Sequence, residues 1–241
     1  MGYQISVFFP LALYALNEEL FSKKVSMLIC SIFILASLCL QSITSLLTTF
    51  ISLTIFTWLK YDIKKLLKVF IIIVTVFFSL NLSRHFSRLE NVTQDASALS
   101  RVGLAAMAID IIYKNPFGNN EEEVLRKKAQ FILRNGLPKY FQTIPFHNSF
   151  LNTAVRNGVF IASIYIAISI YFLIKLYKIW ILYYRAKKKI NLSFFLFLSW
   201  LSYCLQSLVH NAGLPSGDIF GWLLLGIIVS LTDKNTPQIE K

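Results

Sequence analysis

Apolar runs and polar breaks alternate unevenly along this chain. Residues 25–40, 43–59, 66–82, 159–182, 193–209 and 219–231 are dominated by Leu, Ile, Phe and Val, and each is flanked by basic residues, Gly or a short polar turn. Runs of that length and character predict membrane-spanning helices, which need about 20 apolar residues to cross. A seventh run, 5–16, is shorter and lacks the basic start of a signal peptide. It reads as the tail of a span that begins upstream. No stretch alternates with period two for long enough to suggest a membrane β-barrel.

Between the third and fourth of these runs lies one long polar interval, 83–157, holding His85 and His147, two of the three histidines. Its pattern changes from continuous apolar runs to helical periodicity. Leu104, Met107, Ala108 and Ile111 recur at helical spacing, which predicts a helix over 96–115 capped by Ser97 or Ser100 and stopped by Pro116. Arg101 falls in its first turn, where the helix dipole disfavours a cation. A cation in that place points to an anionic partner held by the guanidinium and free N–H groups together.

A second helix is predicted over 120–135. Asn120 caps it, Glu121, Glu122 and Glu123 complement its dipole, and Asn135-Gly136 closes it. Leu125, Ala129, Ile132 and Leu133 form the expected buried stripe, with Arg126, Lys127 and Arg134 on the solvated side. Pro145-Phe146-His147-Asn148 then leads into a short amphipathic helix carrying Phe150, Leu151, Ala154 and Val155, broken at Asn157-Gly158. Arg84, His85 and Arg88 stand just past a span's exit, where arginine either snorkels to the interface or forms an anion site at headgroup level.

Composition supports the same class. The 241 residues are 56% hydrophobic and 15% charged, against about a quarter charged in soluble domains. The net charge of +12 does not indicate a nucleic-acid partner, because the basic residues cluster in short loops beside apolar runs. Lys23 and Lys24, the 60–68 cluster and the 175–189 cluster alternate with loops of low charge, so all three are expected on the cytoplasmic side. That places the interval 83–157 and the loop 210–218 together outside the cytoplasm. The prediction is an all-α polytopic membrane protein of about six to seven transmembrane helices with one large extracytoplasmic helical loop. Its expected divisions are N-terminal spans 1–82, the loop 83–157, C-terminal spans 158–232 and a cytoplasmic tail 233–241.

Cys30, Cys39 and Cys204 all lie inside apolar runs without a CxxC pair, and no HExxH or carboxylate-rich cluster joins the histidines. Neither a disulfide framework, a metal site nor a cofactor is predicted. A polytopic transporter or a scaffold for polysaccharide export is the alternative class. It is disfavoured by the scarcity of ionisable residues inside the runs.

Ser100-Arg101, Asn115-Pro116-Phe117-Gly118, His147-Asn148-Ser149-Phe150-Leu151 and Asn157-Gly158 before a long apolar run, in that order, resemble the O-antigen ligase/polymerase family. The resemblance covers roughly 40–230 and implies a GT-C-like, metal-independent membrane glycosyltransferase of the bacterial inner membrane. Its partners would be an undecaprenyl-diphosphate-linked glycan and a lipid A-core or growing polysaccharide acceptor. Carried onto this chain, Arg101 would hold the diphosphate and His147 would sit at the acceptor hydroxyl or the leaving group, as a general base or an orienting donor, the two forming the catalytic pair. Arg84, Arg88 and Asn148 are candidate substrate contacts. Two departures touch the substrate: Ser42-Ile43-Thr44 lacks the Arg that follows Ser in the family, and Phe117-Gly118-Asn119 lacks a second Gly. Family members are longer, so the chain is expected to correspond to a C-terminal portion.

Overall fold

The computed structural model describes residues 2–39, 43–60, 96–187, 189–211 and 213–234. Within them lie nine α-helices and two 3-10 turns, and no strand. The helices are α1 (Gly2–Asn17), α2 (Lys23–Cys39), α3 (Ile43–Lys60), α4 (Ala96–Lys114), α5 (Glu121–Asn135), α6 (Ser149–Asn157), α7 (Val159–Lys187), α8 (Leu192–Val209) and α9 (Ile219–Lys234). The expected helix 66–82, Arg84, His85, Arg88 and the end of the tail from 235 lie outside the described residues.

Among the described residues two helices are long and apolar enough to cross a bilayer, α7 and α8; Gln4–Asn17 and Ile219–Leu231 are apolar but shorter. The 29 residues of α7 make a rod about 44 Å long, which exceeds the ~30 Å hydrocarbon core. Only 17% of its most apolar stretch is buried within the protein. Its outer surface presents Phe160, Ile164, Ile170, Tyr171 and Ile174, a surface suited to lipid and not to water.

The chain divides into two compact units. The first takes Met1–Leu80, Ile170–Gln206 and Ile219–Lys241. There α1 packs on α2 and α3, and Phe9, Leu13, Phe56, Phe194, Phe195 and Leu198 build the core. Three hydroxyls in this apolar unit are satisfied within their own helix. The hydroxyls of Thr48, Ser52 and Thr57 donate to carbonyls one turn back at 2.9, 2.9 and 2.6 Å. Gln206 on α8 donates from Nε2 to Ser6 Oγ at 3.1 Å and Ser45 Oγ at 3.3 Å, joining α8 to α1 and α3.

The second unit takes Asn81–Ser169 and Ser207–Asp218, and it contains the polar interval. The stripe expected on α4 is its core: Leu104, Met107, Ala108 and Ile111 are at most 1% exposed, packed with Val124, Ile132, Phe141, Phe146 and Val155. The stripe expected on α5 is corrected. Its buried face is Val124, Lys128 and Ile132, while Leu125 and Leu133 are exposed. A lysine occupies the centre of that inward face, so hydrophobicity alone places the register one residue too far along. The caps of α5 stand as expected: Asn120 Oδ1 accepts from the Glu123 N–H at 2.8 Å, and Gly136 closes the helix in the left-handed conformation.

Candidate functional site

The site is built in the second unit, from the clasp that holds α6 upward. The turn after α4, Asn115-Pro116-Phe117-Gly118-Asn119, grips the junction of α6 and α7. The Asn119 N–H donates to the Arg156 carbonyl at 3.1 Å, and the Val159 N–H donates to the Pro116 carbonyl at 2.8 Å. Asn119 Nδ2 reaches the Val155 carbonyl at 2.8 Å, and Asn115 Nδ2 the Gly118 carbonyl at 2.6 Å. Lys127 also bonds Asn119 Oδ1. Two glycines meet in this clasp. Gly118 has φ +103° and a Cβ on it would stand 2.6 Å from the Arg156 carbonyl oxygen; one on Gly158, at φ +92°, would stand 2.8 Å from the Phe117 backbone. Both conformation and close approach therefore demand glycine. The separate Pro-x-Gly and Asn-Gly pieces of the sequence are two halves of one backbone contact.

The segment entering α6 is held from the other side by Lys128. Its side chain is 4% exposed. Its ammonium donates to the Ile144 carbonyl at 2.6 Å and lies 4.4 Å from the centre of the Phe146 ring. Burial, and then the Arg156 charge, lower its pKa from 10.5 to about 8. This one buried cation fixes the backbone immediately before His147. Asp110 ties α4 to α5, accepting from Lys114 at 2.6 Å and from Arg134 at 3.1 Å, so Arg134 works in the unit's own packing. The same holds for Arg156, 3.4 Å from Glu121.

On this frame His147 lies within electrostatic reach of Arg101. Burial, and next the Arg101 charge, push the His147 pKa below its ordinary 6.5, so the imidazole is neutral at pH 7. Arg101 lies in the second turn of α4, since the helix begins at Ala96, and not in the first as expected. The dipole argument for an anion is weaker there. What remains is a guanidinium for which no carboxylate among the described residues is within ion-pair distance. Asn148 is the N-cap of α6, its Oδ1 accepting from the Leu151 N–H at 3.0 Å. That bond points the chain so that His147 precedes the helix.

A third group joins them. His210 follows α8, and its pKa is lowered by burial, then by the Arg101 charge and by coupling to His147. Its sequence position predicts only a connecting loop. Among the described residues no three His, Cys, Asp or Glu side chains are grouped to hold a metal ion.

Long apolar helices, joined to a polar helical subdomain in which an arginine lies within electrostatic reach of an imidazole, are consistent with a helical membrane protein. A family model described as O-antigen ligase matches residues 25–166, more than half of the chain and including both Arg101 and His147. The chain belongs to that family, as the motifs led us to expect. Its role is therefore in O-antigen ligase/polymerase-type glycan assembly. No curated protein and no solved structure matched the chain.

Proposed function

We propose that this protein transfers a glycan from undecaprenyl diphosphate to a hydroxyl of a lipid A-core or growing polysaccharide acceptor, in the bacterial inner membrane. The observation that carries this reading is the placement of Arg101 and His147 within electrostatic reach of each other on the clasped α4–α6 frame. The acceptor hydroxyl oxygen attacks the anomeric carbon, and the bond from that carbon to the diphosphate oxygen breaks. The electron pair leaves with the diphosphate, whose growing charge the guanidinium meets with paired N–H donors. The hydroxyl proton passes to the imidazole of His147, whose lowered pKa keeps it free to accept at neutral pH. Charge on the leaving group is met by protein cations, so the reading requires no metal.

Arg84 and Arg88 are proposed as further phosphate contacts at the membrane surface, where their sequence position puts them. With its oxygen committed to the cap, Asn148 has its amide N–H groups to offer the acceptor sugar. The basic clusters at Lys23 and Lys24, 60–68 and 175–189 favour a six- to seven-span topology with the site on the extracytoplasmic side.

The test is surface glycolipid from a strain lacking this gene, complemented with wild type or His147→Ala. Bare lipid core in the deletion and the variant indicates the ligase, and a single repeat on the core indicates the polymerase. A normal glycan ladder in the deletion strain would remove this function.

A further inference from the structure

The loop after α8 is pressed onto the residue that opens α6. A Cβ on Gly213 would stand 2.6 Å from Ser149 Oγ and 2.9 Å from Ser207 Oγ, so only glycine lets the strands of chain approach this closely. The loop is fixed in that position. Its 3-10 turn, Leu214–Ser216, packs on α6, Leu214 is 3% exposed, and Ser216 Oγ accepts from the Gly213 N–H at 2.9 Å. His210 and Asn211 sit within three residues of Gly213, a reach of about 10 Å. The loop that carries them is therefore anchored at Ser149, itself two residues from His147.

Buried polar atoms are nearly always hydrogen-bonded. Here three of them, Ser149 Oγ, His210 Nε2 and Asn211 Oδ1, are buried with no hydrogen-bond partner among the described residues. An amide oxygen only accepts, and a neutral imidazole has one accepting nitrogen. Such a set asks for donors. A phosphate at neutral pH supplies few or none, whereas a sugar ring offers hydroxyls that donate to the oxygen and nitrogen and accept from the serine. His210 also lies within electrostatic reach of Arg101 and His147, so a sugar held here is at the proposed site of reaction.

We propose that the 210–218 loop, anchored on Ser149 through Gly213, forms a sugar-binding wall of this site, with His210 Nε2 and Asn211 Oδ1 accepting from glycan hydroxyls. This inference rests on the glycosyl-transfer reading and adds to it a substrate contact lying beyond the matched family segment, which ends at 166. The sugar belongs either to the lipid-linked donor or to the acceptor, and kinetics separates the two. Membrane vesicles carrying the full chain are supplied with undecaprenyl-diphosphate-linked glycan and acceptor lipid from the source strain, each titrated at saturation of the other.

For His210→Phe the KM for one substrate is expected to rise about tenfold, as for a lost hydrogen bond, with kcat nearly unchanged. His210→Gln, which keeps a polar atom, is expected to restore most of it. Gly213→Ala leaves every polar group present but displaces the loop, and is expected to raise the same KM. A rise confined to the donor titration assigns the wall to the donor sugar, and one confined to the acceptor titration assigns it to the acceptor. Unchanged KM values in His210→Phe and Gly213→Ala, with His147→Ala inactive, overturn this inference and leave the transfer reading standing. So does Gln performing no better than Phe. A wild-type rate in His147→Ala, or no transfer by wild type, overturns the transfer reading and this wall with it.

Discussion

Replacing Lys128 by Met tests whether a buried cation sets the approach to His147. Two opposing effects are removed together. The Ile144 carbonyl loses its 2.6 Å donor, which costs about 1–3 kcal/mol for a buried acceptor left unpaired. Against that, the folded protein no longer holds a desolvated charge, whose pKa has fallen from 10.5 to about 8. A shift of that size corresponds to roughly 3 kcal/mol at about 1.4 kcal/mol per unit. The net change at pH 7 is therefore small, within about 2 kcal/mol either way. The pH dependence separates the effects. Because the folded pKa is lowered, the lysine is protonated in both states below about 8, and its desolvation cost is present in full there. Between 8 and 10.5 the unfolded chain binds the proton and the folded one releases it, so stability rises with pH. From pH 7 to pH 9.5 that gain amounts to ~2 kcal/mol. The assay is denaturant or thermal unfolding of the detergent-solubilised protein at both pH values. Wild type should gain stability by that amount relative to Lys128→Met. Parallel pH profiles for the two proteins would refute the assignment of a buried charged lysine.

Gly118→Ala, with φ at +103° and a Cβ 2.6 Å from the Arg156 carbonyl oxygen, should lower stability by more than about 2 kcal/mol, read as a fall in unfolding midpoint; an unchanged midpoint would dissolve the clasp. Asp110→Asn breaks a partly exposed bridge to Lys114 and Arg134, and should cost only about 1 kcal/mol or less. Wild type should lose the bridge's contribution as pH falls through the lowered Asp110 pKa, since a depressed carboxylate stabilises the fold above its unfolded value of 3.8. Transfer by wild type should hold steady above pH 6.5 and fall only below it, because the lowered His147 pKa keeps the base neutral down to more acidic values. A rate that instead rises toward acid pH would show that His147 acts as an imidazolium.

Much of the polar unit can be read from sequence because its signals are local. Asn120, the three glutamates and Gly136 specify α5 through capping chemistry, and the α4 stripe follows from spacing alone. The face of α5 is misread for one reason. Lys128 sits where an apolar residue is expected, and its partners, the Ile144 carbonyl and the Phe146 ring, are supplied by a segment more than a dozen residues away. The pairing of Gly118 with Gly158 is also non-local: each glycine is visible as a turn, but their contact is a tertiary fact. Arg101 and His147 are legible through motif order, and the structure adds an electrostatic coupling between them. His210 lacked any motif. The one signal available is charge parity among the loops, from which 210–218 is expected on the same side as 83–157. The packing of Gly213 on Ser149, which no local pattern encodes, is what ties this loop to α6.

The central claim is that Arg101 and His147 act as one unit on a diphosphate-linked glycan. Its most direct test is the initial rate of glycan transfer in vesicles by Arg101→Ala, His147→Ala and the double variant. Loss of a positioned base lowers such a rate by about 10²–10⁴. For residues that work in one step, each single change should cost nearly as much as the two together. The account predicts that pattern, with all three variants inserted at wild-type levels. Wild-type rates in either single variant, or losses that simply multiply in the double one, would contradict it.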